Sequence, residues 1–137
     1  MRLLLLVHAA ATLYMVGLIW FVQVVHYPLF AHIGDKSFTA CQQFHLNRVS
    51  WVVGPPMLVE AASAGLLLWL APNSGLLRLG ALLLTLIWCS TWFLQVPRHN
   101  ILAAGFDAAA HRHLVNRNWV RTAAWTARAV VACGLLL

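Results

Sequence analysis

The stretch Trp20-Phe21-Val22-Gln23-Val24-Val25-His26-Tyr27-Pro28-Leu29-Phe30 sets a glutamine, a histidine and a tyrosine-proline pair at the end of an apolar run, and it has a counterpart later in the chain. Trp20, Gln23 and Asp35 recur 72 positions on as Trp92, Gln95 and Asp107, while His45-Leu46 and Trp51-Val52 recur 68 positions on as His113-Leu114 and Trp119-Val120. A histidine follows each glutamine, His26 in the first copy and His99 in the second. Ordered recurrences of this kind are the mark of an internal repeat. They predict two helical hairpins, residues 1–71 and 76–137, with His-rich chemistry between their helices.

Outward from this stretch the chain is apolar. Of 137 residues, 62% are hydrophobic and 9% charged, far from the roughly one-quarter charged content of a soluble domain. Four apolar segments lie at about residues 3–25, 49–71, 76–96 and 119–137. Each approaches the ~20 residues that a helix needs to cross the bilayer core. Backbone groups in lipid must be satisfied internally, so these segments are expected to be helices. The reading is a single all-α domain, a four-helix transmembrane bundle. The first segment runs on into Gln23 and His26 without a small-residue cleavage site, which marks it as a retained span.

The formal charge of +6 excludes little by itself. Basic residues scattered around four apolar spans make no nucleic-acid stripe, and Cys41, Cys89 and Cys133 form neither a disulfide framework nor a zinc spacing. Lys36, Arg48, Arg98, Arg112, Arg117 and Arg121 belong to or border the two longer connections, whereas Arg2 and Arg78 flank the other side. By the positive-inside rule the His-bearing connections are then cytoplasmic.

Along the chain, the first span is expected to stop near His26-Tyr27-Pro28, since proline restricts the residue before it. Phe38, Cys41, His45 and Arg48 then fall on one side of a short interfacial helix, and a second amphipathic piece is expected between Gly105 and Asn118. Gly54-Pro55-Pro56 breaks the second span beside a polar face, as at a cavity. Pro72-Asn73-Ser74-Gly75 is a turn joining antiparallel neighbours. The third span is expected to end at Pro97-Arg98-His99-Asn100. Glu60 and Arg128 lie ~16 Å and ~15 Å deep on the even-numbered spans. Opposite charges at matched depth are expected to pair.

Neutral imidazole is the commonest protein ligand of zinc, copper and iron. His26, His45, His99 and His113 are therefore the expected ligands of a transition-metal centre holding one ion or two, completed by Asp35, Asp107 or Glu60. Gln23, Gln95, Asn116 and Asn118 would orient the rings. His8 and His32 read as structural, and His111 ranks below His113. A b-type haem is the rival cofactor, although its axial ligands usually lie within the helices.

The run Gly17 to Phe30, with Pro55-Pro56-Met57-Leu58-Val59-Glu60 and Asn118-Trp119-Val120-Arg121-Thr122, resembles an uncharacterised group of short four-span bacterial membrane proteins. The layout is more loosely similar to anthrone-oxygenase-like proteins and HemJ-type protoporphyrinogen oxidases, a likeness that implies membrane oxidoreductase chemistry. His8 followed by Tyr27-Pro28-Leu29-Phe30 is what resembles the HemJ pattern. The expected function is thus a membrane oxidoreductase or oxygenase acting on a quinone, a polyketide or a lipid. In it Glu60 relays protons and Arg121 with Asn118 orients an anionic or carbonyl group; Gln23, Gln95 and Arg128 line the cofactor, and Trp20, Trp51, Trp92 and Trp119 wall the substrate or anchor the interface. The alternatives are a b-haem protein, a metal or proton carrier, and a scaffold subunit that forms a homo-oligomer.

Overall fold

The computed structural model describes the backbone of residues 1–137 and every side chain except that of Asp35. Helices make up the fold: α1 (Arg2–His32), α2 (Asp35–Leu70), α3 (Gly75–Ala103) and α4 (Ala108–Gly134). The first three are long and apolar enough to cross a membrane. α4 is less apolar, and part of its polar complement is turned inward: Asn118, Arg121, Thr122 and Arg128 are all buried. The opposite pattern holds outside, where Trp51, Trp69, Leu82, Phe93 and Val130 are exposed as a lipid-facing belt requires.

The prolines expected to end the first and third spans do not end them. Pro28 and Pro97 lack an N–H, and each ring crowds the carbonyl four residues back. Both helices answer with one widened turn just upstream, at Val22–His26 and Thr91–Gln95, where the N–H groups of Tyr27 and Val96 reach the carbonyls of Val22 and Thr91. Such wide turns absorb a local mismatch without stopping the helix, and they cluster at functional sites. α1 therefore runs on to His32 and α3 to Ala103. The two expected interfacial helices are likewise absorbed into neighbours. Residues 35–48 are the first turns of α2, whose 36 residues extend ~54 Å against ~30 Å of hydrocarbon, and Ala108 to Asn118 opens α4.

Short connections make sequential helices antiparallel neighbours. Ser74 accepts a bond from the Leu77 N–H and Arg78 holds the Pro72 carbonyl, closing the α2–α3 turn. Asp107 caps α4 through the Ala110 N–H at 2.6 Å, after Gly105 has taken a φ of +153° that a side chain would disfavour. α1 packs on α2 and α4, and α4 on α3; the α2–α3 seam is the loosest. One apolar cluster of Met15, Ile19, Met57, Ile87, Ala124 and Trp125 fills the middle, and another of Val22, Tyr27, Phe30, Phe38, Leu102 and Leu114 fills the end carrying the longer connections.

Candidate functional site

Between the two clusters lies a cavity of about 400 Å³, within the range of small-molecule sites. Its walls run from Met15 to Tyr27 on α1, from His45 to Leu58 on α2 and from Trp88 to Asn100 on α3, with Arg121 reaching in from α4. That is roughly 18–20 Å of helix axis. The end near Met15, Met57, Leu58 and Trp88 is apolar; the end near Tyr27, His45, Gln95, His99 and Arg121 is polar.

The widened turn in α1 positions the polar end, because one extra residue per turn re-aims the side chains after it. Tyr27 Oη lies 3.0 Å from His99 Nε2, and Gln42 Nε2 lies 3.1 Å from His99 Nδ1 and donates to the His99 carbonyl at 3.4 Å. The carbonyl accepts only from a donor, which fixes the amide orientation, so Nδ1 of His99 is the acceptor and its Nε2–H donates to Tyr27. The hydroxyl hydrogen of Tyr27 is thereby left to point elsewhere, and Tyr27 lines the cavity. His111 supports this corner from below, donating through Nε2 to the Tyr27 carbonyl at 2.8 Å.

Beside this pair, His26 Nε2 and His45 Nδ1 share a hydrogen bond of 2.9 Å. The His45 ring stacks on His99 with centroids 5.3 Å apart, and the His26 and His45 centroids are 4.7 Å apart. On α4, Asn118 donates to Gln23 Oε1 at 2.8 Å and accepts from Arg121 Nη1 at 3.1 Å, while Gln23 donates to the Val115 carbonyl. Arg121 also lies over the Trp125 ring at 5.1 Å. The guanidinium is thus held by an amide on one edge and an aromatic face beneath. Several buried polar atoms nonetheless have no partner: both amide atoms of Gln95, Nε of Arg121, Nε2 of His45 and Nε1 of Trp88. Gln95 is 2% and Arg121 6% exposed, and all four residues line the cavity.

A second polar layer sits deeper. Glu60 Oε1 accepts from Arg128 Nε at 2.8 Å and from Thr12 Oγ1 at 2.8 Å, and its Oε2 accepts from Trp125 Nε1 at 3.1 Å. Arg128 also donates to the Gly80 carbonyl and to Nε2 of His8, whose Nδ1–H donates to Ser63. The expected ion pair is present and fully buried. His8 belongs to it rather than standing alone at the far surface.

Of the expected metal ligands, His26, His45 and His99 converge. His113 is exposed on the outside of α4, Asp107 is an exposed helix cap, and Asp35 lies outside the described side chains. Among the described residues no group of three or more His, Cys, Asp or Glu side chains is arranged around a metal position; His26 Nε2, His45 Nδ1 and both nitrogens of His99 are instead bonded to one another, to Tyr27 and to Gln42. Gln95 and Arg121 line the cavity's polar end, while Asn118 and Gln23 stand behind Arg121, bonded to it and to each other in series. Glu60 and Arg128 do not line the cavity. Of the expected tryptophan walls only Trp92 lines it, joined by Trp88, while Trp20 and Trp119 pack edge to face outside at 5.7 Å.

Gln42 and His111 were not among the expected residues, and helical spacing singles out both. The buried face of α2 runs Phe38, Gln42, His45, Val49 at i, i+4, i+7 and i+11, leaving Cys41 and Arg48 exposed. On α4, His111, Leu114, Asn118 and Thr122 form one buried stripe that His113 misses.

No family model, no curated protein and no solved structure matches this chain. Fold and site together define an all-helical bundle with three helices able to cross a membrane and an elongated cavity polar at one end.

Proposed function

We propose that the chain is a membrane-embedded enzyme that binds a lipophilic molecule by a carbonyl- or hydroxyl-bearing head and carries out proton-coupled oxidation or reduction of that head. One observation carries this reading. The cavity is apolar along most of its length and ends at buried polar atoms without partners, on Gln95, Arg121 and His45. Each such atom costs about 1–3 kcal/mol when left unpaired, and a bound head removes that cost. Arg121 and the Gln95 amide nitrogen suit an oxygen acceptor; the Gln95 carbonyl suits a hydroxyl. Tyr27 donates its free hydrogen to the head oxygen, the His99 Nε2–H bond holds the phenolate until water reprotonates it, and Arg121 stabilises the negative charge that develops on the head oxygen.

For reduction, two electrons come from an external donor, a quinol or a reduced partner protein; for oxidation the same groups act in reverse and the electrons leave to an external quinone or oxidised partner. The convergence of His26, His45 and His99 favours a second reading, in which those rings give up the His26–His45 bond to hold iron, copper or zinc beside the head. The test is elemental analysis with an optical spectrum on protein purified without a His tag, as wild type and as His26→Ala/His99→Ala. Stoichiometric metal lost in the variant supports the second reading. Metal-free protein from which organic extraction yields a lipophilic carbonyl compound, absent from Arg121→Met, supports the first alone. Neither metal nor such a compound counts against both.

The duplication belongs to this proposal as well. Two widened turns, each followed by one residue and a proline, at Tyr27-Pro28 and Val96-Pro97, support a common hairpin ancestor. So does orientation: with Arg121 buried, exposed Lys36, Arg48, Arg112 and Arg117 still crowd the cavity's polar end, supporting a cytoplasmic site. With Cys41, Cys89 and Cys133 replaced by serine, Ser74→Cys should react with an impermeant thiol reagent added outside and Lys36→Cys should not. The reverse pattern overturns the orientation.

A further inference from the structure

We infer that the ligand carries a single apolar tail that passes sideways into the bilayer through the α2–α3 seam, past Gly54, which sets the tail the site accepts. This rests on the reading of the cavity as a site for a lipophilic molecule with a polar head. The seam is the loosest joint of the bundle. The cavity's exposed lining residues lie along it, Ser50 and Leu58 from α2 facing Trp92 and Asn100 from α3. Leu58 and Trp88, at the apolar end, lie near the middle of their spans, so the opening there faces hydrocarbon rather than water. The polar end is roughly 18–20 Å further along the helices, which separates head and tail by the length of an extended chain.

Gly54 brings no side chain to the wall between Ser50 and Leu58. Beyond its own stretch of helix, a Cβ built on it meets nothing within 4 Å, so the space beside it belongs to the cavity that it lines. Glycine inside a helix costs about 1 kcal/mol relative to alanine, a cost partly offset here because a Cβ in helical conformation just before Pro55 would crowd the proline ring. Pro55 and Pro56 follow at once and leave the carbonyls of Trp51 and Val52 without helical donors. A missing side chain therefore coincides with a stretch of helix whose backbone bonding is already loosened.

The test uses full-length protein in nanodiscs with two ligands, a decyl-substituted benzoquinone and unsubstituted benzoquinone, binding being read from tryptophan quenching. Gly54→Ala should bind both as wild type does, with a melting temperature within a few degrees of it, since the helix propensity gained is offset by crowding of the Pro55 ring. Gly54→Phe should weaken the decyl compound roughly tenfold or more and leave the tail-less one within about twofold. If Gly54→Phe binds both as wild type does, the tail does not pass this position and the inference falls alone. If wild type binds neither, the reading of the cavity falls and the inference with it. If Gly54→Phe loses both ligands while Gly54→Ala retains them, position 54 acts on the head site and the route is overturned.

Discussion

Glu60→Gln is expected to lower the melting temperature of the detergent-solubilised protein by roughly 10 °C, the shift that a loss of about 3–5 kcal/mol gives a domain of this size. The substitution keeps shape and removes charge, leaving the Arg128 guanidinium buried without its counter-ion. It does further harm because all of Glu60's partners are donors: Thr12 and Arg128 on one oxygen and Trp125 on the other. A glutamine offers one oxygen, so its NH₂ must face a donor on one side or the other. Arg128→Met alone should cost less, since the carboxyl retains Thr12 and Trp125 and no donor is turned against another. Adding Arg128→Met to Glu60→Gln should restore much of the lost stability, because the uncompensated charge is then gone. Recovery stays incomplete, as Arg128 also bonds the Gly80 carbonyl and His8. A double variant as unstable as the sum of its parts would show that the pair does not act as a unit.

This ion pair was legible in the sequence because charge at mid-span depth is costly enough to demand a partner, and each of these spans holds one candidate. The four helices were legible for a related reason: lipid leaves the backbone no alternative. Their ends were not. Pro28 and Pro97 look like terminators, yet a single widened turn before each lets the helix run on, and that choice depends on tertiary packing around Val22 and Thr91. The histidines divided along the same line. His26, His45 and His99 sit on the faces that close the bundle's end, whereas His113 shares a repeat position with His45 but is exposed on α4. The repeat pointed to His113, while the stripe of His111, Leu114 and Asn118 pointed to its neighbour, and periodicity was the better guide because burial follows the helix face. The cavity had one sequence signal, the Gly54-Pro55-Pro56 break, which marked a place on the second span but neither the cavity's length nor its walls on α1 and α3. It exists where side chains fail to meet, and an absence such as the missing Cβ of Gly54 is informative only once its neighbours are placed.

Tyr27→Phe and Arg121→Met should separate proton transfer from binding at the cavity's polar end. In proteoliposomes supplied with decyl-benzoquinone and an external electron donor, Tyr27→Phe is expected to lower kcat by about 10²–10⁴ with KM little changed. The phenyl ring preserves the packing of Tyr27 against Phe30 and His99, at centroid distances of 5.9 and 5.6 Å, and only the hydroxyl between His99 and the head is lost. Arg121→Met should act on both constants. It removes the donor facing the head oxygen, worth about 10²–10³ in kcat, and weakens ground-state binding as well. Arg121→Lys should rescue little, because an ammonium cannot bond Asn118 and lie flat on Trp125 while still presenting a donor to the cavity. Asn118→Ala, which touches the guanidinium but does not line the cavity, should reproduce a weaker version of the Arg121 effect by releasing it from its position. Tyr27→Phe turning over within threefold of wild type would remove the phenol from the reaction and leave His45, whose free Nε2 also lines the cavity, as the side chain in place to deliver the proton.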